Sequence, residues 1–350
     1  MKVVHLIPND GLGGVEQAAR SLDPTDKLNT EVAFINGKPL NIKPHIKIID
    51  EDSKLNSFRF YKSGFKHLVK QKPDLLICSL WRTSIIGIAY YLYRRIIRDK
   101  DLKLVVFIHA DKFAHIVDKI ITKTIISISD EVWCDSYASK VGIFKDNSDS
   151  SKLKVISFFI RTFSDSLNPN DIKKSNNFVF WGRIARQKRL DRAINLFKKI
   201  SIDLPNSLFY IYGPDRGELD SLKELVKKLE LSEKVLFMGD KEPSHYPEEA
   251  LNSKFFINTS SHEGMAIAVT EAMQLGLVPV VTTVGEIAHY CIDGINSIHY
   301  NDSSYSRIIN SINNPLIYDE LSNNASQYWK NNIDYSTDFN QNCIRILSEV

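Results

Sequence analysis

No run of about twenty apolar residues passes without a charge, so nothing in the chain reads as a bilayer-spanning helix. The opening MKVVHLIPNDGLGG goes from a short apolar run straight into a glycine turn. It has no long apolar region and no small-residue cleavage site, so no signal peptide is expected. Cysteine is scarce: Cys78, Cys134, Cys291 and Cys343 are scattered and none forms a C-x-x-C pair. That argues against a disulfide framework or a zinc site and suits a reducing cytoplasm. G-x-S-x-G, G-x-x-x-x-G-K-[ST] and H-E-x-x-H are all missing, which removes support for hydrolase, P-loop and zincin chemistry. Low-complexity tracts and short repeats are absent too. The basic residues fall into no recognised reader motif, so no nucleic-acid partner is expected.

What is present is a chain of 350 residues, 43% hydrophobic and 25% charged, enough for two domains of ordinary size. The net charge of +3 is unevenly shared. Residues 1–160 carry 25 basic and 18 acidic side chains, and residues 161–350 carry 20 and 24. The halves are therefore expected to face different partners. In the first half, apolar runs at 3–7, 31–35, 46–49, 75–79, 104–108 and 131–134 alternate with helix-like stretches such as 58–72 and 84–98. This alternation predicts an α/β fold, a parallel sheet with helices on both faces, in which ligands bind at the carboxyl ends of strands. Another strand is expected at 154–159. Residues 161–177 then lose periodicity and read as an interdomain linker. The second half restarts the pattern, with strands at 178–181, 208–212, 235–238, 255–257 and 278–282 and a helix at 190–200.

Four places in this pattern invite chemistry. Gly13-Gly14 follows the first strand and opens a helix with Glu16 in its first turn. Such a turn brings backbone close to a phosphate or a sugar, although a ligand-free tight turn explains it equally well. His109 stands at the carboxyl tip of the 104–108 strand, where a functional and a structural histidine are equally plausible. The loop Gly182-Arg183-Ile184-Ala185-Arg186-Gln187-Lys188-Arg189 puts four cations at a strand–helix junction. It suits a diphosphate, and the alternative is a solvated basic loop. Finally, Glu263 and Glu271 stand eight residues apart across an expected helix start. That separation suits two points on an elongated ligand, with the peptide N–H groups of 264–267 exposed between them for an anion; otherwise both are solvated glutamates.

The aromatic and basic stretches 58–67 and 90–98 fit either an anionic membrane surface or helices whose rings face the core. Asp50-Glu51-Asp52 and Asp99-Lys100-Asp101 read as surface turns, and no obligatory metal is expected.

Across residues 178–300 the chain resembles the retaining glycosyltransferases of family 4, which have the GT-B fold. The resemblance rests on Gly182-Arg183 through Lys188-Arg189, on Glu263 to Glu271, on Gly276-Leu277-Val278-Pro279-Val280-Val281, on Gly285-Glu286-Ile287 and on Asp293-Gly294-Ile295-Asn296. It implies two Rossmann-like α/β/α domains facing each other across a deep cleft. Residues 1–165 would bind the acceptor, 166–325 would bind the nucleotide sugar, and a helical segment at 326–350 would cross back to the first domain. The implied reaction is retaining transfer of a hexosyl or N-acetylhexosaminyl group from a nucleoside diphosphate sugar to a saccharide or lipid-linked saccharide. It needs no obligatory metal or other cofactor and belongs to bacterial O-antigen, capsule or related polysaccharide synthesis. The implied location is cytoplasmic, with peripheral contact between the N-terminal domain and the inner face of the cell membrane.

In site terms the resemblance implies that Arg183 and Lys188 hold the diphosphate, Glu263 the sugar hydroxyls and Glu271 the ribose. His109, Glu263, Arg183 and Lys188 form the catalytic set. Gly13, Gly14, Gly182, Gly213, Gly264, Met265, Ala266 and Ile267 line the donor, and Glu16 meets the acceptor. Met265-Ala266 departs from the E-G-F-P or E-G-F-G of many relatives, and Arg189 stands where glycine is frequent. The rival readings are a sugar-nucleotide epimerase of the same fold and a catalytically silent partner protein.

Overall fold

The structure is a computed structural model that describes residues 1–11, 13–38, 43–99, 101–144, 151–161, 174–241 and 251–349. It divides into two compact units. One is Met1–Ile160 with Ile333–Val350, and the other is Arg161–Asn332.

The first unit is built on β1 (Lys2–Asp10), β2 (Asn29–Gly37), β3 (Ile46–Ile48), β4 (Leu75–Ser79), β5 (Lys103–Ile108), β6 (Glu131–Cys134) and β7 (Leu153–Val155). They form a parallel sheet in the order β3-β2-β1-β4-β5-β6-β7. The helices α1 (Gly14–Ser21), α2 (Phe58–Gln71), α3 (Leu80–Ile96), α4 (Ile116–Ile128) and α5 (Tyr137–Phe144) fall between the strands. Strands such as Leu75-Leu76-Ile77-Cys78-Ser79 are buried at every position, as a parallel strand covered on both faces demands. The first strand runs past the expected end at residue 7, because Asn9 and Asp10 pair with Asn36 and Gly37; the register omits Pro8, which has no N–H to give. Between β4 and α3 there is no loop. Ser79 ends the strand and caps the helix, and Leu80 makes the turn in the left-handed region at φ +70.

The second unit holds β8 (Ser175–Trp181), β9 (Phe209–Tyr212), β10 (Val235–Gly239), β11 (Ser253–Asn258), β12 (Val278–Val281) and β13 (Ile298–His299). The order is β10-β9-β8-β11-β12-β13, with every recorded pair parallel. Its helices are α6 (Leu190–Asp203), α7 (Leu219–Lys228), α8 (Ile267–Gln274), α9 (Ile287–Tyr290), α10 (Ser304–Asn313) and α11 (Pro315–Lys330). Phe178 stacks on Phe255 at 5.2 Å across the β8–β11 pair and meets Phe197 of α6 at 5.5 Å. Each such buried ring contributes about 1.5–3 kcal/mol. Residues 162–173 of the expected linker lie outside the described residues, and 175–177 belong to β8.

A last helix, α12 (Tyr335–Ser348), completes the first unit. The helical segment expected at 326–350 thus falls in two helices: α11, which reaches Lys330, packs within the second unit, where Trp329 Nε1 points at Met273 Sδ, 3.3 Å away. On α12, Asp338 Oδ2 accepts from the Ser157 N–H at 2.7 Å, Asn340 donates to the Asp23 carbonyl at 2.9 Å, and Arg345 pairs with Glu131 at 2.7 Å. The expected strand at 154–159 ends at Val155. Phe158 and Phe159 are apolar because they lie under α12: Tyr335 meets the Phe158 ring at 5.3 Å and donates its N–H to Phe159 O at 2.7 Å.

Candidate functional site

In the second sheet the chain winds outward in both directions from the β8–β11 pair. The loops that leave these two strands therefore part at their carboxyl ends, and a crevice opens there. Those loops are residues 182–189 and 259–266, the two stretches singled out in the sequence. They are tied across the crevice floor. The Ser261 N–H donates to Gln187 O at 2.9 Å, Gln187 Nε2 donates to His262 O at 2.5 Å, and Thr259 Oγ1 donates to Arg189 O at 2.8 Å. Lys188 Nζ reaches Glu263 Oε1 at 2.6 Å, with side chains 13% and 7% exposed.

The four cations of the first loop differ in what they face. Arg189 makes a two-pronged pair with Asp191 at 2.9 and 2.8 Å. It adopts φ +47, the left-handed conformation in which glycine carries no side-chain strain. Lys188 is committed to Glu263, while Arg183 and Arg186 are exposed. Gly182 and Gly213 both take positive φ. A side chain on Gly213 would stand 1.9 Å from the Gly182 carbonyl oxygen, so the two turns touch through bare backbone.

Glu263 Oε1 also accepts from Ser260 Oγ at 2.5 Å and from Asn258 Nδ2 at 3.3 Å. Glu271 is buried on α8, and its Oε2 accepts from Trp181 Nε1 at 2.9 Å. Asn258, Ser260 and Trp181 are the supports that sequence reasoning missed. Trp181 adjoins Gly182 and was visible, but nothing in the sequence pointed it at a residue ninety positions on.

The helix expected near Glu263 begins only at Ile267. Ala266 precedes it in the left-handed region at φ +54, so of residues 264–267 only Ile267 is helical. The intervening loop is held from the far side. Glu286 N–H donates to Gly264 O at 3.0 Å, and Tyr290 Oη donates to Met265 O at 2.8 Å. Burial pushes the Tyr290 pKa well up, which keeps that hydroxyl a donor.

In the first unit, Gly13 caps α1, and Glu16 folds back over it. A side chain on Gly13 would lie 2.4 Å from Glu16 Oε2. Gly14 is exposed at the first position of α1. His109 follows β5, and its ring is turned into the first unit. The side chain is 2% exposed, Nε2 lies 3.0 Å from Ser79 Oγ and Nδ1 3.3 Å from Asp135 Oδ2. Phe107 and Phe158 close over the ring at 4.3 and 5.3 Å. The partial exposure of residue 109 therefore belongs to its main chain.

The basic–aromatic stretches divide as half core, half surface. Phe60 and Tyr90 are buried, whereas Phe58, Leu92, Ile96 and Ile97 are exposed. Arg82 Nε donates to Asn56 Oδ1 at 2.7 Å, so α2 and α3 start side by side. Phe58 and Ile96 consequently lie about 20 Å apart along α3 and do not share one patch. Of the acidic triplets, Asp50 is held by Arg59 at 2.8 and 2.7 Å and Asp99 by Arg94 at 2.6 Å.

Parts of the chain are similar to known proteins. Residues 164–332 match the family described as Glycosyl transferases group 1. Over 116 residues the chain is 35% identical to an uncharacterized glycosyltransferase of Methanocaldococcus jannaschii, a match covering 33% of this chain and 27% of that protein. Over 152 residues it is 29% identical to the alpha-monoglucosyldiacylglycerol synthase of Acholeplasma laidlawii, covering 42% and 37%. The matches thus span about a quarter to two fifths of those relatives' lengths. Among solved structures, Anabaena HepE in complex with UDP and glucose superposes with a TM-score of 0.78 at 17% identity, over all of both chains. WaaG, a glycosyltransferase involved in lipopolysaccharide biosynthesis, gives 0.72 at 14% identity, over 99% of this chain and all of that one. The fold is GT-B, two Rossmann-like α/β domains.

Proposed function

We propose that the chain is a glycosyltransferase whose second unit binds a nucleoside diphosphate sugar in the β8–β11 crevice. The observation that carries this reading is the meeting of the cationic loop and the glutamate segment at the switch point of a parallel sheet, with Lys188 set directly on Glu263. Arg183, exposed beside it, and Lys188 are the diphosphate ligands. As the bond from sugar to phosphate breaks, charge builds on the leaving diphosphate, and cations already in place stabilise it without reorganising. Glu263, steadied by Ser260 and Asn258, takes the sugar hydroxyls; Glu271, steadied by Trp181, takes the ribose. Gly182, Gly213 and the 264–267 backbone give the ligand close approach. In the first unit, Gly13 and Gly14 take the donor-binding role, Glu16 the acceptor-binding role and His109 the catalytic role that the resemblance implies.

The transferred group is a hexosyl or N-acetylhexosaminyl sugar, moved with retention and without a metal. The leaving phosphate takes the acceptor's proton, since the one hydroxyl–carboxylate pair described in the crevice, Ser260 with Glu263, has its hydroxyl buried at 0% exposure. A uridine nucleotide is the first donor to try, because the HepE structures hold UDP, and one of them UDP-glucose. The acceptor is a saccharide or a lipid-linked saccharide of a bacterial surface polysaccharide. The exposed Leu92, Ile96 and Ile97 beside Arg95 and Arg98 supply the peripheral contact with an anionic membrane.

The test is thermal stabilisation by UDP, GDP and ADP sugars, followed by product analysis with the stabilising donor. Stabilisation by one class and a product with the donor's own anomeric configuration are expected. A chain stabilised by none would be a silent partner protein, and release of an altered free sugar would make it an epimerase. Cosedimentation with vesicles rich in anionic lipid checks the membrane contact; no binding at low salt would remove it.

A further inference from the structure

The first sheet holds, across β1, β4, β5 and β6, a row of buried polar side chains. His5 on β1, Ser79 at the end of β4, His109 after β5 and Asp135 after β6 come from four neighbouring strands. His5 Nε2 lies 2.7 Å from Ser79 Oγ, Ser79 Oγ 3.0 Å from His109 Nε2, and His109 Nδ1 3.3 Å from Asp135 Oδ2. His5, Ser79 and Asp135 are buried, and the His109 ring is nearly so.

The serine–histidine–aspartate order is that of a nucleophilic triad, but its use is different. Ser79 is 0% exposed and already bonded to a second histidine, so no substrate carbonyl can approach it. The row instead has a direction. Asp135 Oδ1 accepts from Ser139 Oγ at 2.6 Å and from Ser136 Oγ at 2.9 Å. A carboxylate used as an acceptor on one oxygen calls for a donor at the other, so His109 carries its proton on Nδ1. Its Nε2 is then a lone pair and takes the Ser79 hydroxyl proton. Ser79 Oγ in turn accepts from Nε2–H of His5. The row ends at His5 Nδ1, a buried nitrogen with no partner among the described residues. Burial and the neighbouring His109 push His5 down to about 3, so that this last nitrogen stays bare at neutral pH.

We propose that Asp135 is a positioning residue: by accepting the Nδ1–H of His109 it sets one hydrogen-bond direction through Ser79 to His5, and so fixes His109 at the carboxyl tip of β5 for its role in turnover. The last clause rests on the assignment of His109 to the site under Proposed function. The hydrogen-bond direction does not.

Nitrogen-15 spectra of the full chain, labelled at histidine, read the direction without any ligand. His109 is expected as the Nδ1–H tautomer and His5 as the Nε2–H tautomer. In Asp135→Asn the amide can donate to Nδ1, so the His109 signals move to the Nε2–H pattern or split. Turnover is expected to fall at least tenfold while the donor KM changes less than threefold. Ser79→Ala, the variant to use should Asp135→Asn fail to fold, is expected to leave His109 protonated on Nδ1 while the signals of His109 Nε2 and His5 Nε2 both shift, since each loses its partner hydroxyl. An Nε2–H tautomer of His109 in the unaltered chain overturns the proposal, as does an Asp135→Asn spectrum and turnover unchanged from it. If no nucleotide sugar stabilises the unaltered chain, the donor reading fails while the tautomer result stands by itself.

Discussion

Lys188 is held by Glu263 before any ligand arrives, and Glu263 keeps two further donors, Ser260 and Asn258. Lys188→Ala is therefore expected to leave the protein folded and to lower turnover at least about 100-fold, close to 2.7 kcal/mol of lost stabilisation at the leaving group. Steady-state kinetics with the stabilising donor checks it; unchanged turnover would remove the diphosphate role. A second effect at this scale comes from His5, whose folded pKa is pushed from 6.5 down to about 3 by burial first and by His109 second. Below pH 6.5 the unfolded chain takes up a proton that the folded one refuses, so stability is present above that pH and is lost as pH falls toward 3. About 2 kcal/mol should go between pH 7 and pH 5. Urea midpoints at the two pH values measure the drop, and His5→Gln should flatten it.

The elements show what sequence could and could not carry. Strands 75–79 and 131–134 are legible to the residue because their short, mostly apolar runs, Leu75 to Cys78 and Val132 to Cys134, are bounded by polar and turn residues. The start of α8 was not legible: only the packed loop, with Gly285 φ +59 against the Glu263 carbonyl and Tyr290 on the Met265 carbonyl, holds Ala266 left-handed and delays the helix to Ile267. Likewise the cationic loop and both glutamates were legible by type and spacing. Their supports, Trp181 and Asn258, are chosen by tertiary contact, which no local pattern encodes. The inward turn of His109 was not legible for the same reason, since its hydrogen-bond partners, Ser79 and Asp135, come from two other strands. Glycine supplies the test at this scale. Gly213→Ala drives a methyl group into the Gly182 carbonyl and should destabilise by at least about 2 kcal/mol and weaken donor binding. Gly239→Ala, with positive φ but nothing within 4 Å, should cost about 1 kcal/mol and leave the donor loop in place. Chemical denaturation of both variants separates the two causes.

For the molecule as a whole, the last helix decides which unit is complete. Tyr335, Phe339, Cys343 and Ile346 are buried, and Phe339 covers Trp133 at 5.5 Å. A chain ended after Asn332 should lose the calorimetric transition of the first unit and keep that of the second, together with its shift on adding the donor. Loss of both transitions would mean that the second unit does not fold alone. The same helix has a consequence for synthesis. The unit that begins first is finished last, because contacts such as Ser336 with Asp23, 313 residues apart, wait until all of Arg161–Asn332 has been made. At about 5–20 residues per second that interval is on the order of 10–30 s. For that time Trp133 and the aromatic cluster around Phe158 stand uncovered, so a nascent chain should bind chaperones at the earlier unit while the later one is already closed.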